Sequence, residues 1–241
     1  MARVIVVGSI NQDVTVTVDR FPTPGETLSG SSLTYGLGGK GANQAAAAAR
    51  SGIPTLFVGA VGTDLAGHSL RTHLAAHGVD VSHLREVDSP SGTALITVAA
   101  SGENTIILDA GANRASSIAH AKASLFPAPS DIVVLQAEIP PAANAAAIEW
   151  AHSFGARVLL NLAPARATDP ATLSRVDILV VNETEAGLTL GMPAPATPTE
   201  AIGVARALRG MGPRHVVVTL GAQGAAWASG AEVGHCPAVN L

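Results

Sequence analysis

The sequence predicts an α/β fold: a doubly wound, mostly parallel sheet flanked by helices, with a small antiparallel β lid. Three observations carry that expectation. Short apolar runs rich in Val and Ile alternate with longer Ala-rich stretches of helical spacing, and strands read as continuous apolar runs when helices cover both their faces. Hydrophobic residues make up 47% of the 241 and aromatic residues only 3%, so the core is built from small and β-branched side chains, as suits Ala-rich helices lying close on a Val-rich sheet. Two segments break the pattern. Asp13–Asp19 alternates strictly with period two, and Thr93–Ala99 with Asn104–Leu108 reads as a hairpin around Ala100-Ser101-Gly102-Glu103. Such alternation gives a strand one wet face or one face that covers something.

In chain order, Val4–Val7 is the first buried strand, an all-aliphatic run ended by Gly8. The alternating strands follow, within a lid expected over about 11–36 and 91–109. Gly41–Arg50 reads as a helix from its alanines and the glycines before it. Thr55–Val58 is a strand between Pro54 and Gly59, and Leu65–Ala76 a helix beginning after Asp64. Ser117–Leu125 is predicted as a helix from its apolar spacing and the serine that opens it. Ile132–Leu135, Val158–Leu160, Ile178–Val181 and Val216–Thr219 are further buried strands, separated by predicted helices over Ala142–Ser153, Glu183–Leu190 and Glu200–Arg209. The proline-rich stretch Met192–Pro198 connects the last two helices over the surface. Ala225–Cys236 reads as a closing hairpin. The strand-end edge of an open α/β sheet is where ligands bind, so a small sheet inserted there is a lid.

Composition narrows the function. The formal net charge is -4, with no basic stripe and no set of stacking aromatics, so nucleic acid is not an expected partner. Cys236 is the single cysteine, which rules out an internal disulfide and fits a cytoplasmic setting. The opening Met1–Val7 is too short an apolar run for a signal peptide, and no unbroken stretch is long enough to span a membrane. His68, His73 and His77 share one predicted helix, and two of them are one turn apart. Without an H-E-x-x-H arrangement they read as a solvated face rather than a metal site.

Four motifs can carry chemistry, each with a plainer alternative. Gly38-Gly39-Lys40-Gly41-Ala42-Asn43-Gln44 opens a helix, where backbone N–H groups can meet a ligand, or it is a flexible turn with a solvated lysine. It is not a P-loop, because Lys40 is followed by Gly41 rather than Ser or Thr. Asn11 and Asp13, one residue apart on an extended strand, project from one face and can clamp a vicinal diol, or they end a strand as turn residues. Asn182-Glu183-Thr184-Glu185 is a capping box, or a strand-end carboxylate beside phosphates and an indirectly held Mg²⁺. Thr219-Leu220-Gly221-Ala222-Gln223-Gly224 is a nucleotide-facing loop, or a turn into the hairpin.

Together, and in this order, these pieces resemble the ribokinase family of carbohydrate kinases. The matching stretches are G-S-I-N-Q-D at 8–13, R-F-P-T-P-G-E-T at 20–27, G-G-K-G-A-N-Q-A at 38–45, V-G-T-D-L-A-G at 61–67, L-Q-A-E at 135–138, N-E-T-E at 182–185 and T-L-G-A-Q-G at 219–224. Leu37 and Leu162 stand where the family often has proline.

The resemblance implies ATP-dependent phosphorylation of ribose at its 5-hydroxyl, with deoxyribose or a related sugar as the alternative acceptor and a non-catalytic or truncated sugar- or nucleotide-binding relative as the alternative class. Asn11, Asp13, Gly39, Lys40, Asn43 and Glu138 would hold the sugar. Asn182, Glu185, Thr219, Gly221 and Gly224 would border ATP, with Glu185 acting on Mg²⁺ through water. The lid would pair two subunits into a homodimer. The family's general base lies in a G-A-G-D turn, and the sequence contains no such motif. The base, the K⁺-site loops and part of the adenine pocket are therefore expected beyond Leu241, leaving no catalytic base among these 241 residues and little activity in this chain.

Overall fold

The first strand organises the molecule because its side chains alternate between two separate cores. In the computed structural model, which describes residues 2–166 and 168–239, strand β1 (Val4–Val7) sends Ile5 and Val7 into one buried cluster and Val6 into the other. The lid strands β2 (Asn11–Val18) and β3 (Ser32–Gly38) follow, then helix α1 (Lys40–Arg50), strand β4 (Thr55–Gly62), helix α2 (Leu65–Ala76) and strand β5 (Asp80–Val87). Strands β6 (Gly92–Ala99) and β7 (Asn104–Asp109) return to the lid and end in a 3-10 turn over Gly111–Ala115. The second half runs β8 (Ile132–Gln136), α3 (Pro141–Ser153), β9 (Arg157–Asn161), α4 (Pro170–Leu173), β10 (Ile178–Asn182), α5 (Glu183–Leu190), α6 (Pro198–Gly210), β11 (His215–Thr219), β12 (Ala225–Ser229) and β13 (Glu232–Cys236).

The main sheet has nine strands in the order β13-β12-β11-β10-β9-β8-β1-β4-β5. It is parallel from β5 to β11 and antiparallel through the closing hairpin. The order reverses at β1, between β4 and β8, which makes the carboxyl end of β1 the topological switch point where open α/β sheets bind ligands. The lid is a separate four-stranded sheet, β3-β2-β6-β7. Its outer pairs are antiparallel, as the hairpin pattern predicts, while the central pair β2–β6 is parallel because core elements intervene between those strands.

Helices α1 and α2 cover one face over β1, β4 and β5 with Ala42, Ala45, Leu70 and Leu74. Helices α3, α5 and α6 cover the other, where Ile148, Trp150, Val204 and Leu208 pack on Val158, Leu160, Leu179, Val181, Val216 and Val218. The α1–α2 layer does not continue across β9–β12. There Leu159, Ile178, Val180, Val217 and Trp227 lie half-buried on one continuous face.

Two expectations need correction. Ser117–Leu125 is not a regular helix. Bonds from the Lys122 and Leu125 N–H groups to carbonyls four residues back alternate with three-residue turns closed by Ala121 and Ser124. These turns form no continuous helical ladder of hydrogen bonds. The segment is held instead by burying Ile118, Ala121 and Leu125 in the core. Strand β5 was not expected. Its sequence D-V-S-H-L-R-E-V carries too many polar residues to read as a buried run, because it is the exposed edge of the sheet and only Leu84 is fully buried. No helix among the described residues is long and apolar enough to cross a membrane.

Candidate active site

The site is built where β1 ends and α1 begins. A strand entering a helix across Gly38-Gly39 needs close backbone approach, and the glycines provide it. Gly39 has φ 89°, and a Cβ there would stand 2.9 Å from Ile10 Cα. A Cβ on Gly38 would stand 1.9 Å from an oxygen of Asp13, so the missing side chain makes room for that carboxylate.

The first turn of α1 is not an open anion hole, contrary to the simplest reading of its sequence. The Lys40 N–H donates to Glu138 Oε2 (2.9 Å), the Gly41 N–H to Ser9 Oγ (3.2 Å), and the Ala42 N–H to the Ser9 carbonyl (2.9 Å). Ser9 Oγ donates in turn to Glu138 Oε2 at 2.6 Å. A helix N-terminus attracts negative charge, and here the protein supplies it from the end of β8. Glu138 thus ties three segments together through one oxygen. Oε1 makes no hydrogen bond to a described residue.

Asp13 is half-buried beside this anchor. Burial first, and the charge of Glu138 second, push its carboxyl above the usual carboxylate range. Asn11 is 2% exposed and accepts from Asn113 Nδ2 at 2.7 Å. Asn43, in the first turn of α1, is exposed. Asn11, Asp13, Gly39 and Glu138 therefore lie together at the switch point, with Asn43 on the exposed side of the first turn of α1.

A second part of the site lies beside it. A cleft of about 440 Å³ is floored by Val134, Leu159 and Val180 and rimmed by Lys40, Gln44, Asn161, Asn182, Glu185 and Thr219. The capping box is real: Asn182 Oδ1 accepts from the Glu185 N–H (2.8 Å), and Glu185 Oε2 accepts from the Asn182 N–H (2.9 Å). That leaves Glu185 Oε1 and Asn182 Nδ2 without described partners. An oxygen donor held rigidly on the cleft rim suits a hydrated Mg²⁺. Lys40, expected among the sugar-holding residues, lines this second cleft and is tied to the first through its N–H. Gly221 is exposed at the far end, whereas Gly224 is a packing residue, since a Cβ there would stand 2.0 Å from the Cys236 carbonyl.

Sequence reasoning missed a polar chain beneath both parts. Gln136 Nε2 donates to Gln44 Oε1 (2.8 Å), Gln44 Nε2 to Asn161 Oδ1 (3.1 Å), and Asn161 Nδ2 to the Val180 carbonyl (3.2 Å). Gln44 stood inside a motif already singled out. Gln136 and Asn161 end their strands, but nothing in their local sequence shows that α1 will join them.

A lidded α/β protein that sets a carboxylate–amide pair against a cleft with a lysine and a poised carboxylate is built to bring a polyol and an anionic group together. The comparisons agree, for the chain belongs to the pfkB family of carbohydrate kinases, whose model matches residues 1–240. It is therefore an enzyme class that transfers a phosphoryl group to an alcohol. It is 38% identical to a ribokinase of Haemophilus influenzae, over 91% of this chain and 72% of that protein. It is 35% identical to a deoxyribokinase of Salmonella typhi, over 99% of this chain and 78% of that one. A solved structure of Arabidopsis thaliana ribokinase complexed with ribose and ATP superposes with a TM-score of 0.88 at 32% identity, covering 98% of this chain and 78% of that one.

Proposed function

We propose that this protein phosphorylates ribose at its 5-hydroxyl with ATP and Mg²⁺. The observation that carries the reading is the placement of Asn11 and Asp13 at the switch point, beside Glu138, which in turn holds the N–H of Lys40 on the rim of the cleft with Asn182 and Glu185. Asp13 accepts from sugar hydroxyls, Asn11 and Asn43 complete the polar wall, Gly39 permits close approach, and Glu138 adds its unbonded oxygen. Thr219 and Gly221 border the nucleotide, with Gly224 shaping their turn. Mg²⁺ neutralises phosphate charge when bound. Glu185 orients its waters, and Lys40, standing between the two parts, balances the charge carried toward the sugar.

No described carboxylate is assigned as general base. Asp13 faces the sugar clamp, Glu138 anchors α1, and Glu185 belongs to the capping box. A polypeptide of these 241 residues is accordingly expected to bind sugar with little phosphoryl transfer, a missing base alone lowering rates about 10²–10⁴-fold. K⁺ activation and the adenine pocket are assigned to no described residue. The finer reading also includes a homodimer joined through the lid and a cytoplasmic setting, supported by the exposed apolar lid strands and the single, exposed Cys236.

The resemblance to a deoxyribokinase favours 2-deoxyribose as the second candidate acceptor. Calorimetric titration with ribose, 2-deoxyribose and fructose, followed by an ADP-release assay on the same protein, tests the reading. Ribose is expected to bind most tightly. Equal affinity for all three sugars would refute a ribose-reading site, and tightest binding of 2-deoxyribose would reassign the acceptor.

A further inference from the structure

We infer that Asn113, in the turn that follows the last lid strand, is a positioning residue that fixes the Asn11 side chain as a hydrogen-bond donor to the sugar. The inference rests on the proposed role of Asn11 and goes beyond it by assigning the polarity of the contact.

The argument runs from backbone to ligand. The Ile10 N–H donates to Asn113 Oδ1 at 2.9 Å. A backbone N–H can only donate, so that side-chain atom must be the oxygen. Asn113 Nδ2 then donates to the Ile10 carbonyl at 3.1 Å and, with its second hydrogen, to the Asn11 side chain at 2.7 Å. The atom of Asn11 that meets it must be Oδ1. Its Nδ2 is left facing away, with no partner among the described residues. Polarity is thus passed from an invariable backbone pair through Asn113 to Asn11, and neither amide can flip without setting donor against donor.

Asn113 is 1% exposed, so water does not compete for these bonds. Gly92 supports the same conclusion independently. It lies opposite Asn11 in the β2–β6 register, and a Cβ on it would stand 2.2 Å from both Asn11 Oδ1 and Asn113 Nδ2. The missing side chain leaves the gap that this bond fills. Asp13, two residues along β2, only accepts when ionised. The pair therefore presents one donor and one acceptor, matching a ligand that has one hydroxyl oxygen free to accept beside one O–H free to donate. Asn113 lies in the turn four residues past the end of β7, so the chain returning from the lid brings this residue to the end of β1.

The test uses Asn113→Asp, Asn113→Ala and Gly92→Ala, with ribose and ATP titrated separately by calorimetry. Asn113→Asp keeps the acceptor for the Ile10 N–H, loses the bond to the Ile10 carbonyl and turns the Asn11 amide around, so two acceptors face the sugar. Ribose affinity should fall about 10- to 100-fold, the scale of a hydrogen bond lost at a charged or buried site. Asn113→Ala, which only frees the amide, should lose less, and Gly92→Ala should also weaken ribose. ATP affinity should stay within about twofold in all three. Parallel losses for ribose and ATP, or a larger loss for alanine than for aspartate, would reduce Asn113 to a fold-stabilising residue.

A readout that needs no sugar comes from the Asn11 side-chain amide resonances, which should shift downfield in Asn113→Asp as that amide becomes a donor. Unchanged resonances would overturn the inference. Asn11→Ala separates the two levels. Unchanged ribose affinity in that variant refutes the role of Asn11 itself. Weakened affinity there, with none in Asn113→Asp, refutes only the role of Asn113.

Discussion

At the scale of single residues, Asp13 shows how this site trades stability for binding. Burial and the neighbouring Glu138 raise its carboxyl above the ordinary range. The native state then binds more protons than the unfolded chain between the ordinary and the raised value, so Asp13's contribution to stability falls as pH rises through that window. Above it, the ionised carboxylate is a standing cost. Asp13→Asn should therefore raise the melting temperature at neutral pH while weakening ribose by about 1.5–3 kcal/mol, or roughly 10- to 150-fold. Thermal unfolding and calorimetry on the same sample check both halves, and a lowered melting temperature with unchanged affinity would mean that Asp13 serves the fold rather than the sugar. In the wild type, ribose affinity should also decline as pH is lowered through the raised value, because protonation weakens Asp13 as an acceptor.

At the scale of elements, the capping box of α5 joins two roles that substitution can separate. Asn182 and Glu185 satisfy each other's backbone N–H groups, which is sufficient reason for both residues. Glutamine at 185 can still accept the Asn182 N–H, so Glu185→Gln should leave the melting temperature almost unchanged. It removes the charge facing the cleft, so the Mg²⁺-dependent gain in ATP affinity should shrink several-fold. Asn182→Ala should cost about 1 kcal/mol of stability through the lost cap. An ATP titration with and without Mg²⁺ decides the matter. If Glu185→Gln lowers stability as much as Asn182→Ala and leaves the Mg²⁺ effect intact, the box is purely structural. The irregular turns at Ser117–Leu125 make a related point, since apolar spacing fixes which side chains face the core but does not by itself produce a continuous helical hydrogen-bond ladder.

At the scale of the molecule, two apolar surfaces stand open. The lid leaves Leu33, Tyr35, Leu95, Ile106, Ile107 and Leu108 exposed, and an exposed apolar edge strand invites pairing with another chain. In the homodimer proposed above, Ile107→Lys should move the sedimentation profile from dimer to monomer. A wild-type chain that is already monomeric at micromolar concentration would remove the dimer from the reading. The second surface is the half-buried face of β9–β12, whose apolar residues also floor the 440 Å³ cleft. Covering that face would reshape the cleft, so ligands that stabilise the protein should also lower its binding of an apolar dye.

Much of this was legible in the sequence because it depends on local rules. Aliphatic runs, helix starts, the alternating lid strands and the capping box follow from periodicity and backbone chemistry. The motifs around Asn11, Asp13, Lys40 and Glu185 announced themselves by residue type. What the sequence could not determine was partnership across distance. The β5 edge strand was hidden because its environment, not its composition, makes it a strand. The N–H groups at the start of α1 look available to a ligand in the sequence, but Glu138, 98 residues from Lys40, takes one of them and Ser9 takes the next two. Gln136, Gln44 and Asn161 form a chain only because the first turn of α1 stands beside the carboxyl ends of β8 and β9, and Asn113 governs Asn11 only because the lid returns beside the end of β1. Local sequence sets what each segment can be. Which polar groups find each other is decided when the sheet closes and every buried donor needs an acceptor.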